Sequence, residues 1–328
     1  MSGRVAFFGD GMWAVKGLER VLAEGYTVVG VVLRRRPTEP ALEELAVRNG
    51  LPVLRPERVN ASTFVERFKA LAPDVALSLA YDQIFRRAVL EVPPLGFINF
   101  HAGKLPYYRG RNVINWAIIN DERELGLTAH YVDEGIDTGD VILQRTVPIL
   151  WEDTYGDVLQ KAVETFPELV AETLALVFQG RAPRRPQPPL HGTYFGGRVE
   201  GDEWVDWTDT SRNIYNKIRA ITHPGPGART LLRDKTVTIW RAVYDPTWPR
   251  YTATPGEVVG RLAGRGVLVK TGDSTILLTS VQMEGEEGEA VPAFPVGTRF
   301  GVNLLREIRR LTREVEKLRA ILARKGVG

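Results

Sequence analysis

Three polar side chains in this sequence have the types and the spacing that acyl-group transfer requires. Asn99 and His101 stand two residues apart at the end of an apolar run, and Asp137 follows in a glycine-containing acidic loop. Side chains two apart on a strand point to the same face, so Asn99 and His101 are predicted neighbours. An amide can donate to a developing oxyanion, an imidazole can move a proton, and a carboxylate can orient that imidazole. These three residues are therefore the predicted catalytic group.

The segments around this group alternate between apolar strands and helical patterns. Strands are predicted at 4–8, 26–33, 75–79, 97–100, 127–132 and 141–149, and a long helix at 154–178 with Asp153 as its N-cap. Such alternation is typical of βαβ units and predicts an α/β fold with a Rossmann-like, mostly parallel sheet. Ligands of these sheets bind beyond the carboxyl ends of the strands, where Asn99, His101 and the turn Tyr81-Asp82-Gln83 are expected to lie.

The chain divides into four predicted segments. Residues 1–180 form a catalytic α/β domain, and the proline-rich stretch 181–192 is a linker. Residues 193–300 contain several short strands at regular spacing, which is typical of a small β-barrel, and a preceding helix that Asp209 could cap. Residues 301–328 form an amphipathic helix.

The C-terminal helix repeats apolar residues at steps of four and three. Its predicted seam consists of Leu304, Ile308, Leu311, Val315, Leu318 and Leu322. An a/d pattern over about three heptads is typical of a coiled coil, which favours a homodimer over a helix lying on the protein's own surface. The same segment has eight Arg or Lys against three Glu, so contact with an anionic surface is a further interpretation.

Composition excludes several kinds of site. The 328 residues include no cysteine, which rules out disulfides, thiolate nucleophiles and zinc–thiolate sites. Four scattered histidines give no metal-ligand spacing, so no metal is expected. No apolar run approaches the ~20 residues of a membrane span, and a cytoplasmic location without a membrane partner is expected. The net charge is +3, but the tail's surplus of five leaves the other 300 residues at about −2, which argues against an extended nucleic-acid footprint.

Two patterns near the predicted site keep alternatives open. Gly9, Gly11 and Ala14 fit a loose dinucleotide-binding pattern, but Arg34-Arg35-Arg36 stands where an acidic residue is expected, so a tight turn is the favoured interpretation. His130 lies on a predicted strand, where a structural hydrogen bond and a supporting role near the active site are equally favoured.

The residues around the catalytic group resemble a known family. Asn99-Phe100-His101, Leu105-Pro106, Arg109-Gly110 and Asp137-Thr138-Gly139-Asp140 together resemble the 10-formyltetrahydrofolate-dependent formyltransferases, which act on methionyl-tRNA, glycinamide ribonucleotide or nucleotide-linked amino sugars. The resemblance covers about residues 4–180 and extends through 213–221 and 226–228 into a C-terminal domain that is of OB type in this family. It implies that a substrate amine attacks the formyl carbon of the folate.

The resemblance also implies roles for individual residues. His101 takes the amine proton directly or through water, Asn99 holds the oxyanion, and Asp137 orients His101 and supports its charged form. The implied binding site for the co-substrate 10-formyltetrahydrofolate is formed by Tyr81, Asp82, Gln83, Ile84, Asp133, Gly135, Gly139 and Asp140. The implied acceptor site comprises Lys104, Tyr108, Arg109 and Arg111, although the arginines could equally anchor their own loop.

The acceptor depends on a finer comparison within this family. Its methionyl-tRNA members carry a long basic insertion after the second strand, whereas here Arg34-Arg35-Arg36-Pro37 leads almost directly into the next helix. The stretch 109–116 resembles the sugar-modifying members more closely. The predicted acceptor is therefore a small-molecule amine on a nucleotide-linked sugar, with initiator methionyl-tRNA as the alternative. A folate-binding protein without catalysis and a hydrolase that releases formate are alternatives of other classes.

Overall fold

The chain forms two units, each with its own sheet. The computed structural model describes residues 3–188, 191–302 and 304–324. Internal contacts define a first unit that ends at Glu200 and a second that begins at Gly201. Among the described residues, no helix combines the length and the apolar character needed to cross a bilayer.

The first unit alternates strands and helices along the chain. In order these are β1 (Arg4–Gly9), α1 (Gly11–Ala23), β2 (Thr27–Leu33), α2 (Ala41–Arg48), β3 (Val53–Leu54), α3 (Ser62–Ala70), β4 (Val75–Leu79), α4 (Arg87–Leu90), β5 (Phe97–His101), β6 (Arg109–Gly110), α5 (Val113–Ile119), β7 (Glu124–Tyr131), β8 (Val141–Pro148), α6 (Tyr155–Phe178) and β9 (Tyr194–Phe195).

Seven of these strands form one sheet in the order β3-β2-β1-β4-β5-β7-β8. The first five run parallel, and β7 and β8 add antiparallel pairs at one edge. The central strands are buried along nearly their whole length, as expected where helices cover both faces of a parallel sheet. The predicted α/β class with a mostly parallel, Rossmann-like sheet is therefore confirmed.

An aromatic cluster beneath the end of β4 supports the predicted ligand-binding turn. Phe8 is fully buried and meets Phe68, Phe85 and Tyr81 edge-on, each with ring centroids 5.4 Å apart. Tyr81 in turn stacks on Phe85 at 5.5 Å. Each such aromatic pair stabilises the fold by about 0.5–1.5 kcal/mol beyond the burial of its apolar surface. The turn after β4 is therefore supported by a well-packed aromatic cluster.

The structure corrects two predicted helix starts by one residue. The N-cap of α6 is Thr154, whose side chain accepts from the Asp157 N–H while the Asp157 side chain accepts from the Thr154 N–H. The expected cap, Asp153, instead accepts from the Leu150 N–H at 2.6 Å. Both Asp and Thr are good N-caps, so the sequence alone does not choose between neighbours. The helix expected to begin at Asp209 likewise has Thr210 as its N-cap.

The stretch predicted as a linker, 181–192, makes specific contacts within the first unit over its described part. Arg185 bridges Val141 in antiparallel fashion. Immediately after the stretch, β9 pairs in parallel with β6. Residues 189 and 190 lie outside the described ranges.

The second unit contains α7 (Ser211–Ile221), β10 (Ala228–Leu232), β11 (Lys235–Val243), β12 (Val258–Leu262), β13 (Gly266–Lys270), β14 (Thr275–Met283) and α8 (Leu304–Arg324). Its five strands form an antiparallel sheet in the order β10-β11-β14-β13-β12. This is the β-rich C-terminal domain with a terminal helix that the sequence predicts. Five strands match the number in an OB fold, and the OB-type barrel itself stays a prediction.

Candidate active site

The end of β5 lies on a cavity of about 550 Å³ in the first unit. Strand alternation directs Asn99 and His101 to the same side, as the sequence predicts, and both line this cavity together with Asp137. Across the antiparallel pair of β5 and β7, Asn99 stands directly opposite His130. The cavity therefore brings the three predicted catalytic residues together and adds a second histidine.

The loop after β7 directs the Asp137 carboxylate towards both histidines. Its Oδ2 atom lies 3.6 Å from His101 Nδ1, and its Oδ1 atom lies 3.5 Å from His130 Nε2. The Gly110 N–H donates to Oδ2 at 2.8 Å. Asp137 has a φ of +53°, a left-handed conformation that Asp tolerates better than most residues. This local turn aims the side chain back at the end of β5.

The surroundings of Asp137 favour its charged form. Burial acts to raise the pKa of this carboxyl, but the imidazoles of His101 and His130 and the Gly110 N–H outweigh that effect. The pKa of Asp137 therefore lies well below its usual range. A permanent negative charge in the cavity wall stabilises positive charge on an adjacent imidazole.

His101 is held at both ring nitrogens. Its Nε2 atom lies 2.6 Å from the carbonyl oxygen of Tyr108, which can only accept a hydrogen bond, so Nε2 bears a proton. Its Nδ1 atom faces the charged Asp137, which favours a proton there as well. Tyr108 has a φ of +58°, and this backbone conformation turns its carbonyl towards the imidazole. Each ring nitrogen of His101 thus has an acceptor within reach for a proton.

His130 is placed to orient the amide of Asn99. The His130 ring is 2% exposed, and its Nδ1 atom lies 2.8 Å from the Tyr131 carbonyl oxygen, which accepts its proton. The His130 Nε2 atom lies 3.2 Å from Asn99 Nδ2 and 3.5 Å from Asp137 Oδ1, so in the neutral ring it accepts from the amide and in the charged ring it donates to the carboxylate. The amide keeps its second N–H for another acceptor. Of the two interpretations that the sequence leaves open, this geometry favours a supporting role at the site.

The turn after β4 and the first part of the loop after β7 line the cavity. The predicted folate-binding residues found there are Tyr81, Asp82, Gln83, Ile84, Asp133 and Gly135. Two of these also hold the loops in shape. The Gln83 side chain accepts from the Val59 N–H at 2.9 Å, and Asp133 accepts from the Gly135 N–H at 3.0 Å.

Two predicted folate-binding residues lie outside the cavity lining. A Cβ at Gly139 would stand 1.9 Å from the Tyr131 carbonyl oxygen, so a glycine is needed there for close backbone packing. The Asp140 carboxylate faces Arg184 at 3.8 Å. Both residues support the loop that carries Asp137, and the contact with the folate that the family resemblance implies for them stays a prediction.

Only one of the four predicted acceptor-binding residues, Arg111, lines the cavity. Lys104 forms an ion pair with Glu124. The Tyr108 hydroxyl donates to Glu122 at 2.6 Å. Arg109 donates from Nη2 to Gln187 at 2.8 Å, as a loop-anchoring arginine would. These three side chains therefore stabilise the loop that carries the Tyr108 carbonyl.

Further cavity residues come from elements distant in sequence and were not predicted. They are Trp13 from α1, Arg34 after β2, Asn115 from α5, Tyr155 from α6 and Tyr194 from β9. Trp13, Tyr155 and Tyr194 belong to no local motif, whereas Arg34 and Asn115 lie in stretches that the sequence analysis noted without assigning these two residues to the site. The Asp10 carboxylate pairs with Arg34 at 3.1 Å at the turn that fits the loose dinucleotide pattern. Because a buried carboxylate repels phosphate, the tight-turn interpretation is favoured.

The cavity wall contains buried polar atoms that suit a polar ligand. Within the part of the chain that the structure describes, Tyr81 Oη and Arg34 Nε are buried without a hydrogen-bond partner. Such groups carry a desolvation cost that a ligand with donors and acceptors would relieve. Across the same ranges, no group of three His, Asp or Glu side chains is arranged to hold a metal ion.

Comparison with known sequences covers both units. The family model "Formyl transferase" matches residues 4–174, and "Formyl transferase, C-terminal domain" matches residues 199–298. A methionyl-tRNA formyltransferase of Pelotomaculum thermopropionicum is 37% identical over 304 residues, covering 90% of this chain and 96% of that protein. One from Symbiobacterium thermophilum is 37% identical over 313 residues, covering 90% and 95% respectively.

Comparison with solved structures supports the same fold. A sugar 3N-formyl transferase, WlaRD, crystallised with dTDP and 5-N-formyl-tetrahydrofolate, superimposes with a TM-score of 0.68 at 20% identity, covering 87% of this chain and 99% of that one. With matches to both family domains and relatives aligned over nine-tenths of its length, the chain belongs to the formyl transferase family.

Proposed function

We propose that this chain transfers the formyl group of 10-formyltetrahydrofolate to the amine of initiator methionyl-tRNA. The observation that carries the chemistry is the single cavity that contains Asn99, His101 and Asp137. The acceptor is supported by relatives that bear this activity in their names and align along both units at 37% identity. These relatives favour the tRNA alternative over the amino-sugar acceptor that the sequence first suggested.

The catalytic residues stabilise the negative charge that develops on the formyl oxygen, and they transfer one proton. When bound, the folate supplies the formyl group, whose bond to the folate nitrogen breaks as a new bond to the acceptor amine forms. The free N–H of Asn99 donates to the carbonyl oxygen as negative charge develops there. His130 keeps that amide in the orientation needed, through its 3.2 Å contact with Asn99 Nδ2.

The acceptor amine must lose a proton, and His101 receives it at Nε2. The ionised Asp137 facing Nδ1 stabilises the imidazolium that results. The Tyr108 carbonyl then accepts from the protonated Nε2, in the contact of 2.6 Å. As the carbon–nitrogen bond to the folate breaks, the imidazolium gives this proton to the departing nitrogen, so tetrahydrofolate leaves as a neutral amine and His101 returns to its neutral form.

The folate would bind along the cavity wall formed by the turn after β4 and the loop after β7. The buried Tyr81 hydroxyl and the Arg34 guanidinium offer unsatisfied polar atoms to it. Backbone groups of the stretches 81–84 and 133–137 supply further donors and acceptors. Arg111 is exposed at the cavity and is suited to a phosphate of the acceptor.

A second candidate acceptor is an amino group on a nucleotide-linked sugar. One observation favours it: only the seven residues 34–40 connect the end of β2 at Leu33 to the start of α2 at Ala41. The long basic insertion implied for methionyl-tRNA members is absent from this described connection. The likeness to WlaRD, at 20% identity, bears on the fold alone.

One experiment separates these acceptors. Tetrahydrofolate release is measured with initiator methionyl-tRNA, with uncharged tRNA, with a panel of amino-sugar nucleotides and without acceptor. We expect turnover with methionyl-tRNA, reduced roughly 10³-fold or more in His101→Ala. His191→Ala removes an exposed ring outside the cavity and is the matched control.

The other outcomes contradict the proposal in distinct ways. Turnover with one amino-sugar nucleotide and none with methionyl-tRNA would establish the second candidate. Formate release without an acceptor would identify a hydrolase. A shift in folate fluorescence without release of tetrahydrofolate from any mixture would identify a folate-binding protein.

A further inference from the structure

The apolar side chains of α8 that the structure describes lie in solvent. The seam residues Ile308, Leu311, Val315, Leu318 and Leu322 are between 46% and 58% exposed. They follow the steps of four and three that place them on one stripe of the helix. The side chain of Leu304, the first predicted seam residue, lies outside the described side chains. The two matched family domains end at residues 174 and 298, and both ends precede this helix.

We propose that α8 is the interface between two copies of this chain, joined as a parallel two-stranded coiled coil. A continuous apolar stripe exposed on a charged helix marks a surface that another molecule covers. The residue types on the stripe and the charges beside it identify that molecule as a second copy in a defined orientation. This proposal is independent of the acceptor.

The branching of the seam residues selects two parallel strands. With Leu311 and Leu318 at d positions, the a positions are Ile308, Val315 and Leu322. Two of the three a residues are β-branched, and both of these d residues are leucine. This combination favours parallel dimers, whereas leucine at a with isoleucine at d favours larger assemblies.

The charges that flank the seam select the same orientation. Glu314 takes a g position and Arg319 the following e position. In a parallel dimer, Glu314 therefore faces Arg319 of the partner subunit, and the pair occurs twice by symmetry. In an antiparallel dimer g positions face g positions, so Glu314 would meet a second glutamate. Charge complementarity thus disfavours the antiparallel arrangement.

Ion pairs within the helix also support it beside the seam. Arg310 forms ion pairs with Glu307 at 2.5 Å and with Glu314 at 3.0 Å, at spacings that stabilise helices. Because most helix stability in proteins comes from packing of an amphipathic face, a partner surface on the exposed seam would stabilise the helix further.

Sedimentation velocity of the full chain over a range of concentrations tests the dimer. We expect a dimer that dissociates on dilution, and a dissociation constant raised roughly 100-fold or more in Leu318→Asp, because an unpaired charge would be buried in the seam. Ala320→Asp adds the same side chain at an f position, on the outer face, and we expect it to leave the dimer intact. A monomeric wild type, or a dimer unaffected by Leu318→Asp, would overturn the proposal.

A charge exchange tests the orientation without disturbing the seam. We expect Glu314→Arg to weaken the dimer roughly 2–10-fold, since two exposed ion pairs between the helices become repulsive. Adding Arg319→Glu to the same chain should restore it. A dimer strengthened by Glu314→Arg alone would exclude the parallel arrangement. In an antiparallel dimer this substitution removes repulsion between two glutamates, so only that arrangement predicts tighter association.

Discussion

The active-site cavity and the seam of α8 depart from the usual distribution of side chains in opposite directions. In the cavity wall, His101 and His130 are only 8% and 2% exposed, although titratable groups normally lie at the surface. In α8, five apolar residues are 46–58% exposed, although such residues normally lie in a core. Burying an imidazole and exposing an apolar side chain both destabilise the folded chain unless other contacts compensate.

The two regions differ in the source of these compensating contacts. The buried imidazoles have partners within the first unit: Tyr108 and Asp137 for His101, Asn99 and Tyr131 for His130. Polar groups can be buried when they have hydrogen-bond partners in this way. The seam residues, in contrast, are expected to find their partners in a second chain. The cavity is thus a property of one unit, and the seam a property of an assembly.

Replacing Asp137 by Asn tests whether the cavity needs its buried charge. The amide keeps the shape of the side chain but removes the negative charge that faces His101 Nδ1 at 3.6 Å. We expect turnover to fall roughly 10²–10⁴-fold, measured as tetrahydrofolate release. Asp140→Asn, in the same loop but outside the cavity, is the control. Full turnover in Asp137→Asn would mean that the charge has no part in the reaction.

The same substitution gives a pH signature with a definite sign. The pKa of Asp137 is lower in the folded protein than in the unfolded chain, so its ionised form stabilises the fold above about pH 4, the unfolded value. That contribution is lost as the pH falls towards the folded pKa. Urea unfolding should therefore show a stability difference between wild type and Asp137→Asn that narrows below about pH 4. A stability difference that widens below about pH 4 would contradict the lowered pKa of Asp137.

Replacing His130 by Gln tests whether this histidine acts through Asn99. We expect kcat to fall roughly tenfold with KM little changed, because loss of a positioning contact costs less than the 10²–10³-fold typical for loss of an oxyanion donor. The double variant with Asn99→Ala should be no slower than Asn99→Ala alone, since coupled residues are not additive. Multiplicative losses would show that the two side chains act independently.

Replacing Tyr108 by Phe tests the support of the loop beneath His101. Burial raises the pKa of the Tyr108 hydroxyl, and its hydrogen bond to Glu122 adds to this, so the hydroxyl stays a protonated donor. Its loss should cost about 0.5–1.5 kcal/mol in the free energy of unfolding. Turnover should change little, because the ring still stacks on Phe195 at 5.1 Å and the backbone carbonyl remains. A large loss of turnover with unchanged stability would assign the hydroxyl itself to the reaction.

The parts of the site that follow from local periodicity could be predicted. Asn99 and His101 share a face because a strand alternates with period two, and the sheet order brings the turn at Tyr81 beside them. Trp13 and Tyr194 could not be found in this way, because their approach depends on how distant elements pack. The placement of Gly139 and Asp140 outside the cavity lining could not be predicted either, because it depends on the close approach of Gly139 to the Tyr131 carbonyl oxygen and on the contact of Asp140 with Arg184.

Leu318→Asp, the variant that should dissociate the dimer, gives the smallest expected effect on the cavity. All residues that line the cavity lie between Trp13 and Tyr194, within the first unit, so we expect kcat with a small formyl acceptor or with methionyl-tRNA to stay within about twofold of wild type, as for surface changes far from a site. Rates are compared at concentrations where wild type is dimeric and the variant is monomeric. If Leu318→Asp lost turnover and Ala320→Asp did not, assembly through α8 would affect the active site. That result would contradict the view that the cavity depends on one unit alone.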